Sequence, residues 1–210
     1  MRGFLRFLLW LVIITAVVVG VARALAIRWF WVPDDLVMSA SVAPTLRGGD
    51  LVILWRATKP SYGDLVVCPE PDSEGWVVGR LLGVGGDVIE VRGDRILRNG
   101  TPISSESSCG EFTVLDPDTE NNVMMRCSLV VAGGRKFTVG DAGGHARVPR
   151  SVKDELMPGE AFLVSDNHLY PYDSRDYGAV MSSTCTESVV FRLVGAGGWG
   201  DTKSRLTVIR

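Results

Sequence analysis

Three short segments hold side chains that could do chemistry. The first is Ser39-Ala-Ser41-Val-Ala-Pro44-Thr-Leu46. A serine hydroxyl can attack a carbonyl carbon, but it is a weak nucleophile until a base takes its proton. A second hydroxyl nearby can stabilise the oxyanion that forms. The second segment is Gly79-Arg80-Leu-Leu-Gly83-Val-Gly85-Gly86-Asp87. The third is Ser165-Asp166-Asn167-His168, followed by Asp173-Ser174-Arg175-Asp176. His168 is the group there that titrates near neutrality. Each segment also has a plain reading. Serines beside a proline make polar loops, Asp173 and Arg175 make a structural ion pair, and a lone histidine packs. Gly83 to Asp87 is neither Gly-x-Gly-x-x-Gly nor a Walker sequence, and reads as a tight turn between strands.

Metal and redox chemistry find little support. The chain has four cysteines and two histidines, with no Cys-x-x-Cys, so no zinc site and no cofactor is expected. Outside the cytoplasm, Cys109 and Cys127 are the disulfide candidates, closing a loop of about 18 residues. Cys68 and Cys185 lie in apolar, strand-like runs and read as small buried hydrophobes.

The elements that must position these groups begin with an apolar leader. Phe7 to Ala22 carries no charge, Arg23 interrupts the run, and Ala24 to Ile27 resume it. As a helix, residues 7–27 would be about 31 Å long, which matches the hydrocarbon thickness of a bilayer. Arg23, near the end, can snorkel to the headgroups. Trp29-Phe30-Trp31 reads as an aromatic belt at the far interface, and bulky rings there argue against a cleaved signal. The distribution of Arg2 and Arg6 against Arg23 and Arg28 slightly favours a cytoplasmic amino terminus and an extracytoplasmic domain.

The remainder differs in charge from the leader. Over 210 residues the net charge is −2, with 22 basic and 24 acidic residues and a hydrophobic share of 46%. That composition excludes a disordered chain and gives no case for nucleic-acid binding. The four arginines of residues 1–28 face no acid, which leaves 18 basic against 24 acidic residues in 29–210. Short β-type runs follow at Leu51–Trp55, Leu65–Cys68, Trp76–Val78, Val88–Val91, Arg95–Arg98, Gly159–Val164 and Ser188–Val194. Asn99-Gly100 between apolar pairs predicts a hairpin. No helical periodicity of 12 or more residues appears outside the leader. The expected fold is mainly β. The expected division is a cytoplasmic amino terminus (1–6), a transmembrane helix (7–27), a first core part (28–100), an inserted β-subdomain (101–157), a second core part (158–195) and a carboxy-terminal segment (196–210).

Together and in this order, the three segments resemble the type I signal peptidases, membrane-anchored serine proteases that remove signal peptides from exported proteins. Family members carry Ser-x-Ser-Met-x-Pro-Thr-Leu, then Lys-Arg-x-x-Gly-x-x-Gly-Asp, then Gly-Asp-Asn-Arg with Ser-x-Asp-Ser-Arg close behind. The connecting Gly49-Asp50, Gly63-Asp64 and Asn99-Gly-Thr-Pro-Ile103 agree as well. The resemblance implies a signal-peptidase-like β-sheet core. It implies Ser41 as nucleophile, the Ser39 hydroxyl in the oxyanion hole, and a neutral lysine as base. Val37, Leu46 and Val78 would line a shallow apolar cleft for small substrate residues. Arg80, Asp166, Asn167, Asp173, Ser174 and Arg175 would support the site. The implied partners are the bilayer and the signal peptides of exported proteins.

The lysine is missing. Aligning Arg80 with the motif arginine puts glycine at the base position, Gly79, and no lysine lies between Lys59 and Lys136. Arg80 stays protonated and cannot substitute. The serine that supports the family's lysine falls on Pro171, the motif methionine is Val42, and the motif arginine is His168. Three readings follow: a peptidase with His168 as substitute base; a degenerate relative that binds exported peptides or assists a partner peptidase or surface-assembly machine; or an enzyme whose base comes from a neighbouring subunit.

Overall fold

The computed structural model describes residues 2–71, 73–93, 95–141 and 150–209, and His145 lies outside them. Helix α1 runs Arg2–Ala26 and leads directly into β1 (Ile27–Trp31). Among the described residues, Gly3–Ala26 is the one helix long and apolar enough to cross a membrane, and its apolar window is not buried in the protein. A short α2 (Leu36–Ser41) follows, then β2 (Leu51–Trp55), β3 (Leu65–Pro69), β4 (Trp76–Val84), β5 (Val88–Arg92), β6 (Arg95–Arg98) and β7 (Thr101–Ile103). Next come β8 (Ser105–Leu115), β9 (Asn122–Ala132), β10 (Arg135–Asp141), β11 (Val152–Glu155) and β12 (Glu160–Val164). The chain closes with α3 (Ser174–Tyr177), β13 (Val180–Met181), β14 (Glu187–Val194) and β15 (Thr207–Val208).

The architecture is mainly β. One sheet has the order β1-β2-β14-β3-β4-β12-β13, with β15 attached to β14. A second has the order β10-β9-β8, and a third β11-β5-β6-β7. All strand pairs are antiparallel. The β6–β7 hairpin turns at Asn99-Gly100, where φ is 53° and 76°. Positive φ at both turn residues is what the right-handed strand twist asks of a two-residue connection.

Packing explains why β4 is apolar apart from Arg80. It lies between β3 and β12, so both faces are covered, and Val77 through Leu82 are buried. Val78 packs with Met38, Val42, Leu46 and Leu65, whereas Val77 and Leu81 pack with Cys68, Leu163 and Cys185.

Trp29-Phe30-Trp31 is part of β1, paired in register with Ile53, Val52 and Leu51, and strand alternation turns Phe30 into the core while Trp29 and Trp31 face outward. Two expectations need correction. Cys68 and Cys185 are not separate hydrophobes but a disulfide closing 117 residues, and Cys109 and Cys127 form the other. The glycines after β4 do not begin its end: Gly83 lies inside the strand, opposite Phe162, and the turn falls at Gly85-Gly86.

Candidate active site

Asp35 starts α2. Its side chain accepts the Met38 N–H at 2.8 Å and caps the helix. Six residues are too few for helical periodicity to show in the sequence, which is why this segment reads as a loop there. The helix presents Leu36, Ser39, Ala40 and, just beyond its end, Ala43 to a cavity of about 400 Å³ whose opposite wall is Phe112 to Leu115 of β8. Val37 and Met38 line a separate cavity of about 350 Å³ with Trp76, Glu70 and Tyr172.

Ser41 ends α2 and is fully buried. Its Oγ donates to the Met38 carbonyl at 3.0 Å and lies 3.8 Å from the Met38 sulfur. Among the described residues, no titratable side chain bonds to it. Ser39 is placed differently. Its Oγ accepts the Gly48 N–H at 3.1 Å, which leaves its own proton free to donate, and its side chain faces the first cavity.

Gly79 pairs with Val66 of β3. A Cβ at this position would lie 3.2 Å from the Leu163 Cβ and 3.3 Å from the Val164 carbonyl oxygen. A side chain at this position would therefore press on β12, which would have to give by a few tenths of an ångström. Beside it, Arg80 is buried and grips Asp166 in a two-pronged pair, Nε to Oδ1 at 2.9 Å and Nη2 to Oδ2 at 3.1 Å. The guanidinium also stacks 4.4 Å from the Phe137 ring centre. A charge-assisted, bidentate pair of this kind fixes geometry; it does not exchange protons.

The third segment is a positioning network. The Asn167 N–H donates to the Ser41 carbonyl at 2.9 Å, and its side-chain amide donates to the Ala40 carbonyl at 2.8 Å. Its Oδ1 accepts the N–H groups of Leu169 and Tyr170 at 3.0 and 3.1 Å. Asn167 thus holds the end of α2 from both its backbone and its side chain. Asp173 caps α3 and pairs with Arg175 at 2.6 Å, both side chains fully buried. Burial pushes the Asp173 carboxyl up, but Arg175 and two backbone N–H donors outweigh it and hold the group below the ordinary aspartate range. Ser174 Oγ accepts the Leu163 N–H at 3.0 Å.

His168 takes another direction. Its N–H donates to the Gly140 carbonyl at 2.9 Å, and its side chain lines a cavity of about 390 Å³ with Arg95, Ile103, Ser104, Ser128 and Asp141. Neither Ser39 nor Ser41 is among the described residues of that cavity. Leu46 and Val78 sit in the core, whereas Val37 keeps an exposed surface. Pro171 lies between the bonded Tyr170 and Tyr172. The Tyr172 hydroxyl bonds to Glu70, which, with burial, pushes its pKa up to about 12.

Asp50 is a buried group whose role the motifs do not announce. It accepts the Arg47 N–H at 3.0 Å, the Ala196 N–H at 2.7 Å and an Arg192 N–H at 3.1 Å, so it holds the turn after Leu46 against β14. Its place directly after Gly48-Gly49 was the available signal.

Comparison with known proteins identifies the family. The family described as signal peptidase, peptidase S26, matches residues 7–194. A signal peptidase I of Bacillus amyloliquefaciens is 28% identical over 165 residues, covering 77% of this chain and 72% of the relative. A probable signal peptidase I-1 of a Synechocystis species is 23% identical over 203 residues, covering 91% and 86%. A crystal structure of a signal peptidase I from Enterococcus faecalis covers 63% of this chain and 97% of its own at 20% identity, with a TM-score of 0.39. With nearly its whole length matched, the chain belongs to the signal peptidase family, peptidase S26.

Proposed function

We propose that this chain is a membrane-anchored signal peptidase homologue that binds the signal-peptide region of exported proteins at α2 without cutting it at a useful rate. The observation that carries the reading is the surroundings of Ser41. Its Oγ bonds to Met38 alone among the described residues, and the residue at the family's base position is Gly79, which has no side chain to take the proton. A serine without a general base forgoes about 10²–10⁴-fold in rate. The rest of the apparatus supports peptide recognition. Ser39 faces a cavity with a donatable proton, Val37 is exposed, and the Arg80–Asp166 and Asn167 contacts hold α2 firmly.

The helix and the cysteines support a place for it at the membrane surface. α1 crosses the bilayer with the amino terminus in the cytoplasm, and the β domain works on the extracytoplasmic face. Two disulfides and no free cysteine among the described residues fit an oxidising compartment.

One observation favours a second reading, an endopeptidase with Ser41 as nucleophile and His168 as base. Asn167, the neighbour of His168, donates directly to the Ser41 carbonyl, which keeps the one group of that segment that titrates near neutrality one residue from the serine's backbone partner. Cleavage of a signal-peptide substrate by the detergent-solubilised full chain separates the two. Equal rates for wild type and Ser41→Ala support the binding role, and a rate that both Ser41→Ala and His168→Ala abolish supports the peptidase.

A further inference from the structure

The cavity on the Ser39 side of α2 has an unusual wall. Among the described residues, β8 is the edge of its sheet and pairs with β9 alone, so the backbone groups on its other side meet no described strand. Phe112, Thr113, Val114 and Leu115 of that edge face Ser39 across the cavity. An unpaired edge is a template for an extended chain, which it binds through backbone hydrogen bonds.

This edge is held rigid. The Cys109–Cys127 disulfide ties β8 to β9. At its end, Asp116 accepts the Tyr170 hydroxyl at 2.9 Å, and Tyr170 is bonded to Asn167, which also holds α2. The two walls of the cavity are therefore connected through one hub.

Charge selects the occupant. Arg47 is the one charged side chain among the described residues lining the cavity; no described carboxylate forms an ion pair with its guanidinium, although the Asp201 carboxylate feels its charge at longer range. Val37, expected to contact residues before the scissile bond, lines the cavity on the opposite flank of α2. A peptide that passes Ser39 from that flank enters the cavity walled by β8.

From this we infer that the segment of an exported chain that follows the cleavage point binds as an added strand on β8 at Phe112–Leu115, with an acidic side chain facing Arg47. The inference rests on the peptide-binding reading given above.

The test uses the full chain in detergent micelles and fluorescent signal-peptide substrates followed by anisotropy. One peptide ends at the cleavage point. The others continue six residues beyond it, with Asp, Gln or Lys at the second added position, and one carries N-methyl groups on alternate added residues. The extended Gln peptide should bind more tightly than the short one, and N-methylation should remove the gain. The Asp peptide should bind about 3-fold more tightly than the Gln peptide, and the Lys peptide more weakly, as for an exposed ion pair. Arg47→Glu should invert that order. If the short peptide binds and the extension adds nothing, the β8 assignment is overturned while peptide binding stands. If no peptide binds, both are overturned. A dimer in solution that the extended peptide does not dissociate puts a second copy on the edge and also overturns the assignment.

Discussion

Arg80 and Asp166 lie 86 positions apart and meet in a buried ion pair with two hydrogen bonds, 2.9 and 3.1 Å long. The pair joins β4, which carries Gly79, to the segment whose Asn167 holds Ser41. Removing one partner strands a charge in the core. Asp166→Ala should therefore lower unfolding stability by about 3–5 kcal/mol, whereas exchanging both residues for apolar ones of similar size should cost much less. Urea denaturation of the detergent-solubilised chain checks both.

Position 79 gives a prediction in two parts. Gly79→Ala should cost about 1–3 kcal/mol, because its methyl meets Leu163 and a fixed backbone oxygen of Val164. Thermal unfolding measures that cost. Gly79→Lys combined with Pro171→Ser should nevertheless raise cleavage of a signal-peptide substrate by about 10²-fold or more, the usual contribution of a general base. An unchanged rate in a folded double variant would mean that more than the base has been lost.

Both disulfides should stabilise the domain, and unequally. By the chain-entropy account, Cys68–Cys185, closing 117 residues, contributes about 4–5 kcal/mol, against about 3 kcal/mol for Cys109–Cys127 with its separation of 18. Paired alanine substitutions, compared by urea midpoint, should follow that order.

Acid should loosen the α3 region. The Asp173 carboxyl is lowered in the folded protein, so the unfolded chain binds its proton first as pH falls. The stability it contributes is complete above the ordinary aspartate value of about 3.9 and is lost as pH drops towards its lowered folded value. Asp173→Asn should flatten the stability profile below about pH 4, measured by urea midpoint against pH.

Sequence reading succeeded where local chemistry decides structure. Asn99-Gly100 needs positive φ at two residues, and those residue types supply it. Arg80 and Asp166 were named only through the resemblance of their motifs to the family's, and their contact depends on strand pairing. Three features were hidden for physical reasons. α2 is too short to show a period. β8 is a serine- and glutamate-rich edge strand, exposed along most of its length, so it lacks the apolar alternation that marks a strand. The Cys68–Cys185 bond depends on β3 meeting a segment 117 residues away, which only the sheet order brings together.

The most direct measurement is turnover of a signal-peptide substrate by the wild-type chain in detergent, run beside Ser41→Ala, with peptide binding measured in the same samples. We predict that both proteins bind the peptide and that their cleavage rates are indistinguishable. Cleavage by the wild type that disappears in Ser41→Ala would contradict the central claim, because it would show that Ser41 finds a base despite Gly79.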